Sequence, residues 1–350
     1  MDYSKARIRE ENAKWIDAHA PNANPMLKQA SDDKTNAYLQ TKIMEDAIFD
    51  KILPVEHVTN ADMDRTLTST KPFMMIEVEP ESTGAVTVQF GTNPNTVILE
   101  GQRIPIFFNR IMTDKYTKDI DELRMWDMDI RQIICDQQVK WMAFEIDRRF
   151  LFAANNALSM HAAFPDTELP CLWRTYSGGV TRENYIDSLS IMLRSRAHFH
   201  PVSLLMNEIT ANEFFKWGFD EMGGSFSQEM LTGGEISRTM MGKKFNITQK
   251  HELIPHGRIY MFAEPKFLGR NYILSPNTMF VENQATKISW FMYETRGGAI
   301  CSATAIACAD FNIAALSSGG EDIQFENLDK YGNIIPGGQT EEEVNAGSGN

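Results

Sequence analysis

Apolar residues at helical spacing run through residues 118–158, inside a stretch from 106 to 164 that contains neither glycine nor proline. The apolar stripe recurs at steps of three or four, and Gln137 and Arg148 interrupt it. Its members are Leu123, Trp126, Ile130, Ile133, Trp141, Phe144 and Leu151. The pattern predicts one uninterrupted amphipathic helix about 60 Å long, which is longer than an ordinary domain is wide. Asp119 and Glu122, spaced as in a capping box, mark its first turn.

A helix of this length needs something beside it. It could pair with another helix in a coiled coil, or it could brace an extended subunit inside an assembly. The two interruptions of the apolar stripe do not suit sustained heptads, so the brace is the favoured interpretation.

The residues before this helix change from helical to strand-like patterns. Residues 1–50 hold two weak helical patterns, at 3–19 and 36–53, and predict an arm that is too poor in apolar residues to fold alone. From residue 54 onward, proline- and glycine-bearing turns separate short β-rich runs, which predicts an extended strand hairpin leading into the helix. These runs cover residues 73–78, 85–90, 96–99 and 103–108.

After the helix, short helices and strands alternate, which predicts a mixed sheet with covering helices. Thr181 is placed to cap a helix that continues to Leu193. A glycine-, serine- and methionine-rich segment at 222–234 predicts a mobile loop. The predicted strands are 202–206, 245–248, 258–263 and 272–274.

Near the end of the chain, two strand-like runs flank the sequence Arg296-Gly-Gly. The runs are residues 287–293 and 300–308, and the pattern predicts a long antiparallel hairpin. Residues 317–350 contain seven acids and one base, and we expect this tail to be partly disordered.

Composition narrows the class of protein. The 350 residues, 43% of them hydrophobic, allow a sizeable core and two or three sub-domains. Apolar runs such as 303–309 are far shorter than the roughly 20 residues of a membrane span, and residues 1–20 lack the apolar core of a secretory signal. We therefore expect a soluble protein made in the cytoplasm. The formal net charge of −13 argues against a protein that grips nucleic acid by its phosphates, but not against a container for it.

The sequence contains few motifs that indicate catalysis or ligand binding. Residues 234–244 lack the first glycine and the hydroxyl residue of a phosphate loop, and no nucleophile elbow is present. His198 and His200 could bind a metal with a distant third ligand, but a structural or exposed pair is the favoured interpretation. The four cysteines, Cys135, Cys171, Cys301 and Cys308, form no CxxC motif and predict buried reduced thiols.

Charged residues on the predicted helix favour packing over catalysis. Glu145 and Asp147 stand two positions apart and point in different directions, so they do not form a carboxylate pair for acid–base work. We expect them to pair with neighbouring subunits, or with Arg148 and Arg149. The sequence therefore predicts no catalytic residue, no cofactor and no metal site.

The order of these parts resembles the major capsid protein of tailed bacteriophages, with the Hong Kong 97-like fold. The resemblance covers about residues 1–316, and local sequence supports it at 97–108, at the run from Glu145 to Arg149, at 242–248, at 258–262 and at 290–311. It implies an α+β fold with an N-terminal arm, an extended β-hairpin (the E-loop), a long spine helix, a peripheral domain and a mixed α/β axial domain.

The resemblance also implies domain boundaries. Mapped by order along the chain, the arm is 1–53, the E-loop region 54–112, the spine helix and peripheral domain 113–180, the axial domain 181–277, the hairpin that returns to the peripheral domain 278–316, and the acidic tail 317–350.

The function that the resemblance implies is structural. The chain would assemble as pentamers and hexamers of an icosahedral head around double-stranded DNA, without reading the DNA sequence and without a membrane. Its partners would be other copies, a portal protein and, where the phage has them, separate scaffolding and decoration proteins, and its location would be the virion. The assembly residues would include Trp126, Ile133, Trp141, Glu145, Asp147, Arg148, Arg149, Arg103 and Lys71. Trp126→Asp or Ile133→Asp, which place a charge on the predicted buried face, would then prevent soluble assembly.

The sequence departs from some relatives in two ways. Only residues 1–53 precede the E-loop region, which implies a separate scaffolding protein or none rather than a long fused one. Lys71 is the only lysine between residues 54 and 112, and Asn283 is a conceivable partner for the Lys–Asn cross-link that some relatives form. A solvated lysine is the favoured interpretation.

Two other functions stay open at this point. An encapsulin, a nanocompartment shell of the same fold, would need a cargo groove to which the helix predicted at 3–19 could contribute. The acidic tail and the irregular arm favour the phage shell over it. A metal-dependent enzyme rests only on His198 and His200.

Overall fold

A computed structural model of the chain describes residues 2–20, 24–64, 71–78, 87, 101–125, 130–163, 172–195, 198–217, 239–240, 242–284 and 286–312. Several predictions lie outside these residues. They concern Trp126, Cys171, the strand at 96–99 and nearly all of that at 85–90, the loop at 222–234 and the acidic tail.

The described elements form an α+β fold. The helices are α1 Asp2–Ala18, α2 Pro25–Asp46, α3 Ile48–Ile52, α4 Ile120–Arg124, α5 Ile130–Ala163, α6 Arg182–Leu193, α7 Glu208–Asn212 and α8 Pro265–Leu268, with short 3-10 turns at Glu213–Lys216 and Ala303–Ala305. The strands are β1 Val55–His57, β2 Phe73–Val78, β3 Gln102–Phe107, β4 Asn109–Met112, β5 Tyr116–Asp119, β6 Trp173–Tyr176, β7 Ser203–Asn207, β8 Thr239–Met240, β9 Lys243–Thr248, β10 Arg258–Phe262, β11 Gly269–Gln284, β12 Lys287–Ile300 and β13 Ile306–Phe311.

These strands form three sheets. A five-stranded sheet has the order β1-β11-β12-β4, with β5 also paired to β12. A six-stranded sheet has the order β6-β13-β10-β7-β9-β8, in which the β6–β13 and β7–β9 pairs are parallel. The hairpin β2–β3 is a separate two-stranded sheet.

The two larger sheets share one hydrophobic core with the helices. Met142 of α5 and Phe262 of β10 are fully buried in it, as are Met292 of β12 and Leu39 of α2. Trp15 of α1 belongs to the same core. The N-terminal helices therefore pack on their own chain.

Several local predictions are confirmed. Strand β2 has the bounds predicted for it, and β3 differs by one residue at each end. The side chain of Thr181 accepts a hydrogen bond from the backbone N–H of Asn184 and so caps α6. The second N-terminal helix begins earlier than predicted because Asn24 caps it and Pro25 occupies its first turn, where a proline costs no hydrogen bond.

The prediction of a single helix over 118–158 is wrong at both ends. Residues 116–119 form β5, because Lys118 pairs with Ile288 of the neighbouring strand β12. Asp119 does cap a helix, accepting from the backbone N–H of Asp121, but that helix is α4, which ends at Arg124. The long helix α5 continues five residues past the predicted end, to Ala163.

The predicted buried face of this helix is right at Leu151 and wrong at Trp141. Trp141 is 61% exposed, whereas its neighbour Met142 is 1% exposed. The buried face of α5 consists of Ile134, Cys135, Gln138, Val139, Met142, Ala143, Ile146, Asp147, Phe150, Leu151, Ala154, Ala157 and Leu158. The sequence misled because α5 carries large apolar residues on both faces, so periodicity did not show which face packs on this chain.

The final hairpin does not turn at the glycines. Gly297 and Gly298 lie inside the long strand β12, which pairs with β11, while β13 belongs to the other sheet and pairs with β10. A Cβ at Gly297 would lie 3.1 Å from the ring of Phe108. These glycines therefore allow close packing within a sheet rather than a turn.

A second, smaller core lies at the base of the hairpin. Ile76 of β2, Ile106 of β3 and Phe108 pack there on Tyr272 of β11. This contact anchors the hairpin to the five-stranded sheet. Within the part of the chain that the structure describes, none of the helices combines the length and apolarity needed to cross a bilayer.

The close approach of β11 and β12 yields a stability prediction. A Cβ at Gly269 would lie 2.2 Å from the carbonyl oxygen of Ala299, which is backbone and cannot move aside. We expect Gly269→Ala to lower the free energy of unfolding by about 1–3 kcal/mol, measured by urea titration. Gly179→Ala is the control, because no heavy atom lies within 4 Å of its Cβ position. Equal urea midpoints for the two variants would contradict this account.

Candidate assembly surfaces

The outer face of α5 carries exposed aromatic residues. Trp141 and Phe152, 61% and 68% exposed, lie eleven positions apart and so project from nearly the same side of the helix. Phe144 meets the Trp141 ring edge-on, with 6.1 Å between the ring centroids. Arg148 lies on the same side of the helix. We call Trp141, Phe144, Arg148 and Phe152 the outer face of α5.

An ion-pair network lies beside this face. Glu145 pairs with Arg148 at 2.8 Å and with Arg149 at 3.0 Å, so two guanidinium groups share one carboxylate. Partial burial raises the pKa of Glu145, but the hydrogen bonds from the two arginines outweigh it, and the pKa lies below its usual value. The group carries one net positive charge.

Asp147 is not part of any surface. Its side chain is 2% exposed and binds the Lys250 ammonium at 2.5 Å. It also accepts a hydrogen bond from the backbone N–H of Phe49, in α3. Burial raises the pKa of Asp147 even though Lys250 lowers it. The expectation that Asp147 pairs with a neighbouring subunit or an adjacent arginine is therefore wrong. Its role is to join α5 to α3 and to the segment after β9.

A second buried charge group joins α3 to the five-stranded sheet. Arg296 of β12 binds Asp50 at 2.5 Å and Glu294 at 2.6 Å, and all three side chains are almost completely buried. Burial raises the pKa of Glu294, against the lowering effect of Arg296. The sequence could have indicated that Glu294 and Arg296 share one face of a strand, because they are two positions apart. It could not have indicated Asp50, the other partner of Arg296, which is distant in sequence.

The hairpin β2–β3 is exposed along much of its length. Arg103 pairs with Glu77 across the two strands at 2.7 Å, and both side chains face solvent. Met75 and Phe107 are large apolar residues that are nearly half exposed. Among the described strands, β2 and β3 have no neighbour except each other. A two-stranded hairpin has marginal stability alone. Asp64 covers part of the β2 edge, because its backbone N–H donates to the carbonyl of Phe73 and its carboxylate accepts from the backbone N–H of Met75.

The remaining candidate residues border these surfaces. Lys71 is exposed just before β2, and Ile133 is half-buried on α5. The side-chain amide of Asn283 donates to the backbone carbonyl of His19, so its own chain engages the group proposed for a cross-link.

The histidine pair does not lie on a strand. His198 adopts a positive φ of 50°, and its Nδ1 contacts the carbonyl of Leu193 at 2.8 Å. His200 is exposed two positions on. Among the residues that the structure describes, no group of three or more His, Cys, Asp or Glu side chains could hold a metal ion.

Sequence reasoning missed several residues that now define the surfaces. Phe152, Met75 and Phe107 are exposed apolar residues that a periodicity argument assigns to a core. Phe152 lies on the same face of α5 as the polar residues Arg148 and Gln137. Polar residues within an apolar stripe indicate the side of the helix that faces solvent, so they could have identified Phe152 as exposed.

No protein-family model matches the chain, and no curated protein matches it in sequence. Solved structures match it in fold. The capsid structure of the cyanophage P-SCSP1u matches with a TM-score of 0.52 at 10% identity, covering 76% of this chain and 87% of that one. The capsid of the cyanophage Pam1 matches with a TM-score of 0.51 at 9% identity, covering 75% of this chain and 91% of that one. The capsid of an empty GTA particle, computed with C5 symmetry, matches with a TM-score of 0.50 at 14% identity, covering 76% of this chain and 90% of that one. The chain has the fold of a phage capsid protein.

This fold bears out the resemblance found in the sequence. The matches are to whole capsid subunits, since most of each subunit's length is covered. At identities near 10%, the likeness shows the fold and transfers no residue roles.

The buried Asp147–Lys250 pair makes a prediction about stability. Lys250→Met leaves the Asp147 carboxylate buried without its partner, and we expect a loss of about 3–5 kcal/mol of unfolding free energy at pH 7. The conservative control is Lys287→Met, because Lys287 is exposed.

The loss should depend on pH with a defined sign. The pKa of Asp147 is already raised above its ordinary value of 3.8, and removing Lys250 raises it further. A carboxyl group whose pKa is higher in the folded chain than in the unfolded chain binds its proton more tightly when folded. The loss of stability therefore grows as the pH rises above the pKa of Asp147 in the unfolded chain. Urea titrations should show a smaller loss near pH 4 than near pH 7, and a loss independent of pH would contradict the assignment.

Proposed function

We propose that this chain is the major shell protein of a phage head, assembling as pentamers and hexamers of an icosahedral capsid that encloses double-stranded DNA. The neighbours in fold are capsid subunits, and the capsid of the empty GTA particle was computed with C5 symmetry. The proposed location is the virion, after synthesis in the host cytoplasm. A portal protein and separate scaffolding or decoration proteins are the other partners we propose.

The exposed apolar outer face of α5 is the observation that carries the proposal beyond the fold. Burying a large apolar side chain is worth about 1.5–3 kcal/mol, so two bare aromatic rings on one helix face favour association. Trp141 and Phe152 supply those rings, and Arg148 adds a hydrogen-bonding group of the kind enriched at interfaces.

The hairpin supplies a matching surface. Met75 and Phe107 are apolar and partly exposed, and no described strand pairs with the hairpin. We infer that the hairpin of one copy lies on the outer face of α5 of the next copy. Arg103 and Lys71 then lie close to that contact, as does the half-buried Ile133.

The domain assignment follows the two sheets. We assign α5 and the five-stranded sheet to the peripheral domain, and the six-stranded sheet with α6 and α7 to the axial domain. On this assignment β13 is axial, because it pairs with β10 and β6, and the returning segment consists of β11 and β12. Helices α1 and α2 correspond to the arm.

The simplest test is assembly of the full chain. We expect negative-stain microscopy and light scattering of the expressed protein to show closed shells of uniform size, with a scaffolding partner supplied if none form alone. Monodisperse monomers under both conditions would contradict the proposal. Shells packed with a co-purifying enzyme would instead indicate an encapsulin.

The surface assignment has its own test. Trp141→Asp combined with Phe152→Asp places charges on the proposed interface, and we expect a folded, soluble chain that forms no shells, as judged by circular dichroism and light scattering. Ile186→Asp is the matched control, because Ile186 is a partly exposed apolar residue on α6. Met142→Asp should instead prevent folding, because that side chain is fully buried. Normal shells from the double variant would refute the outer face as an interface.

A further inference from the structure

A pocket opens at the base of the hairpin, between α3, α5 and the strands β4 and β12. Its volume is about 570 Å³, which is within the range of ligand-binding sites. The apolar floor is formed by Phe49, Leu53, Ile111, Ile146 and Phe150. Phe107 stands at the edge, 45% exposed. The pocket therefore offers room for a large apolar side chain.

The edge of this pocket is basic. Its lining includes three arginines and, among the described residues, no acid. Arg296 is buried against two carboxyl groups, Asp50 and Glu294, and supplies no free positive charge, whereas Arg149 shares one carboxylate with Arg148. Arg110 lies over the Tyr293 ring at 5.2 Å and forms no ion pair with the described residues. The arrangement suits an occupant that combines apolar anchors with negative charge.

One segment of the acidic tail has this chemistry. Residues 321–329 alternate acids with three apolar residues, in the sequence EDIQFENLD. Phe325 is the aromatic residue of the segment, and Glu326 directly follows it. The rest of the acidic tail, such as the run 341–343, groups its acids without an aromatic anchor.

The pocket lies within reach of this segment in the same subunit. Strand β13 starts at Ile306, which pairs with Phe262, and the Phe262 ring lies 5.4 Å from that of Phe150 in the pocket floor. The strand carries the chain roughly 20 Å away by Asn312, at about 3.3 Å per residue. Phe325 follows thirteen positions later, and that length of chain spans up to about 43 Å.

We propose that residues 321–329 dock in the pocket of their own subunit, with the Phe325 ring on the apolar floor and the acids beside Arg110 and Arg149. The tail then acts as an internal ligand that fills the space under the hairpin. This docking does not depend on shell formation. It can therefore fail or hold whether or not the proposed function is correct.

Photo-cross-linking of the full chain tests the proposal directly. With p-benzoylphenylalanine in place of Phe325, irradiation should give adducts on peptides that contain Phe107, Phe150 or Ala153, identified by mass spectrometry, in a product of monomer mass. The same probe in place of Val344 is the control and should not mark the pocket. Adducts elsewhere, adducts of dimer mass, or no adduct would each overturn the proposal.

Two pocket variants sharpen the result. Arg110→Glu should lower the yield of the pocket adduct about fivefold, because it reverses an exposed charge at the edge. Ala153→Trp should abolish the adduct by filling the pocket from an exposed position on α5. Arg110→Lys should keep it. Unchanged yields in the first two variants, with urea midpoints like that of the parent chain, would overturn the proposal.

Discussion

The burial of one face of α5 is the constraint on which the rest of the structure depends. Its apolar residues are covered by the N-terminal helices and by both large sheets, so elements from distant parts of the sequence share one core. The hydrophobic effect is non-directional and does not by itself set how the elements are oriented. Buried ion pairs fix the positions of α3, α5 and β12 relative to one another. Asp147 binds both Lys250 and the backbone of α3, and Arg296 holds Asp50 of α3 against β12. Such groups are costly to bury unless every partner is in place, so a misplaced α3 leaves charges uncompensated.

The opposite face of α5 carries large aromatic residues that the described part of this chain leaves exposed. A monomer gains nothing from exposing Trp141 and Phe152, or from the partly exposed Met75 and Phe107 of the hairpin. Under the proposed function, a second copy covers both features. The basic pocket beneath the hairpin extends this view, because a subunit can also use a segment of its own chain to cover apolar surface before or after it assembles.

Local signals in the sequence predicted local structure well. The strand β2, the Thr181 cap of α6 and the helix around Trp15 and Ile16 all depend on neighbouring residues alone. Predictions failed where distant residues decided the outcome. Residues 116–119 form a strand because β12 offers a pairing edge, and Gly297 lies within β12 because Phe108 packs against it. Neither partner is visible from the local pattern.

The sequence by itself determined which secondary-structure elements this protein contains: an α+β mixture, a long helix with aromatic residues and a strand hairpin before it. It also determined the resemblance to a capsid subunit. Only the tertiary structure decided which face of α5 is inside, because two apolar faces give the same periodicity and only packing partners distinguish them. It also decided that Asp147 is a buried ion-pair partner of Lys250, while Glu145, two residues away, lies near the surface. A two-residue step on a helix rotates a side chain by about 200°, so the environment of each carboxylate depends on what lies on its own side.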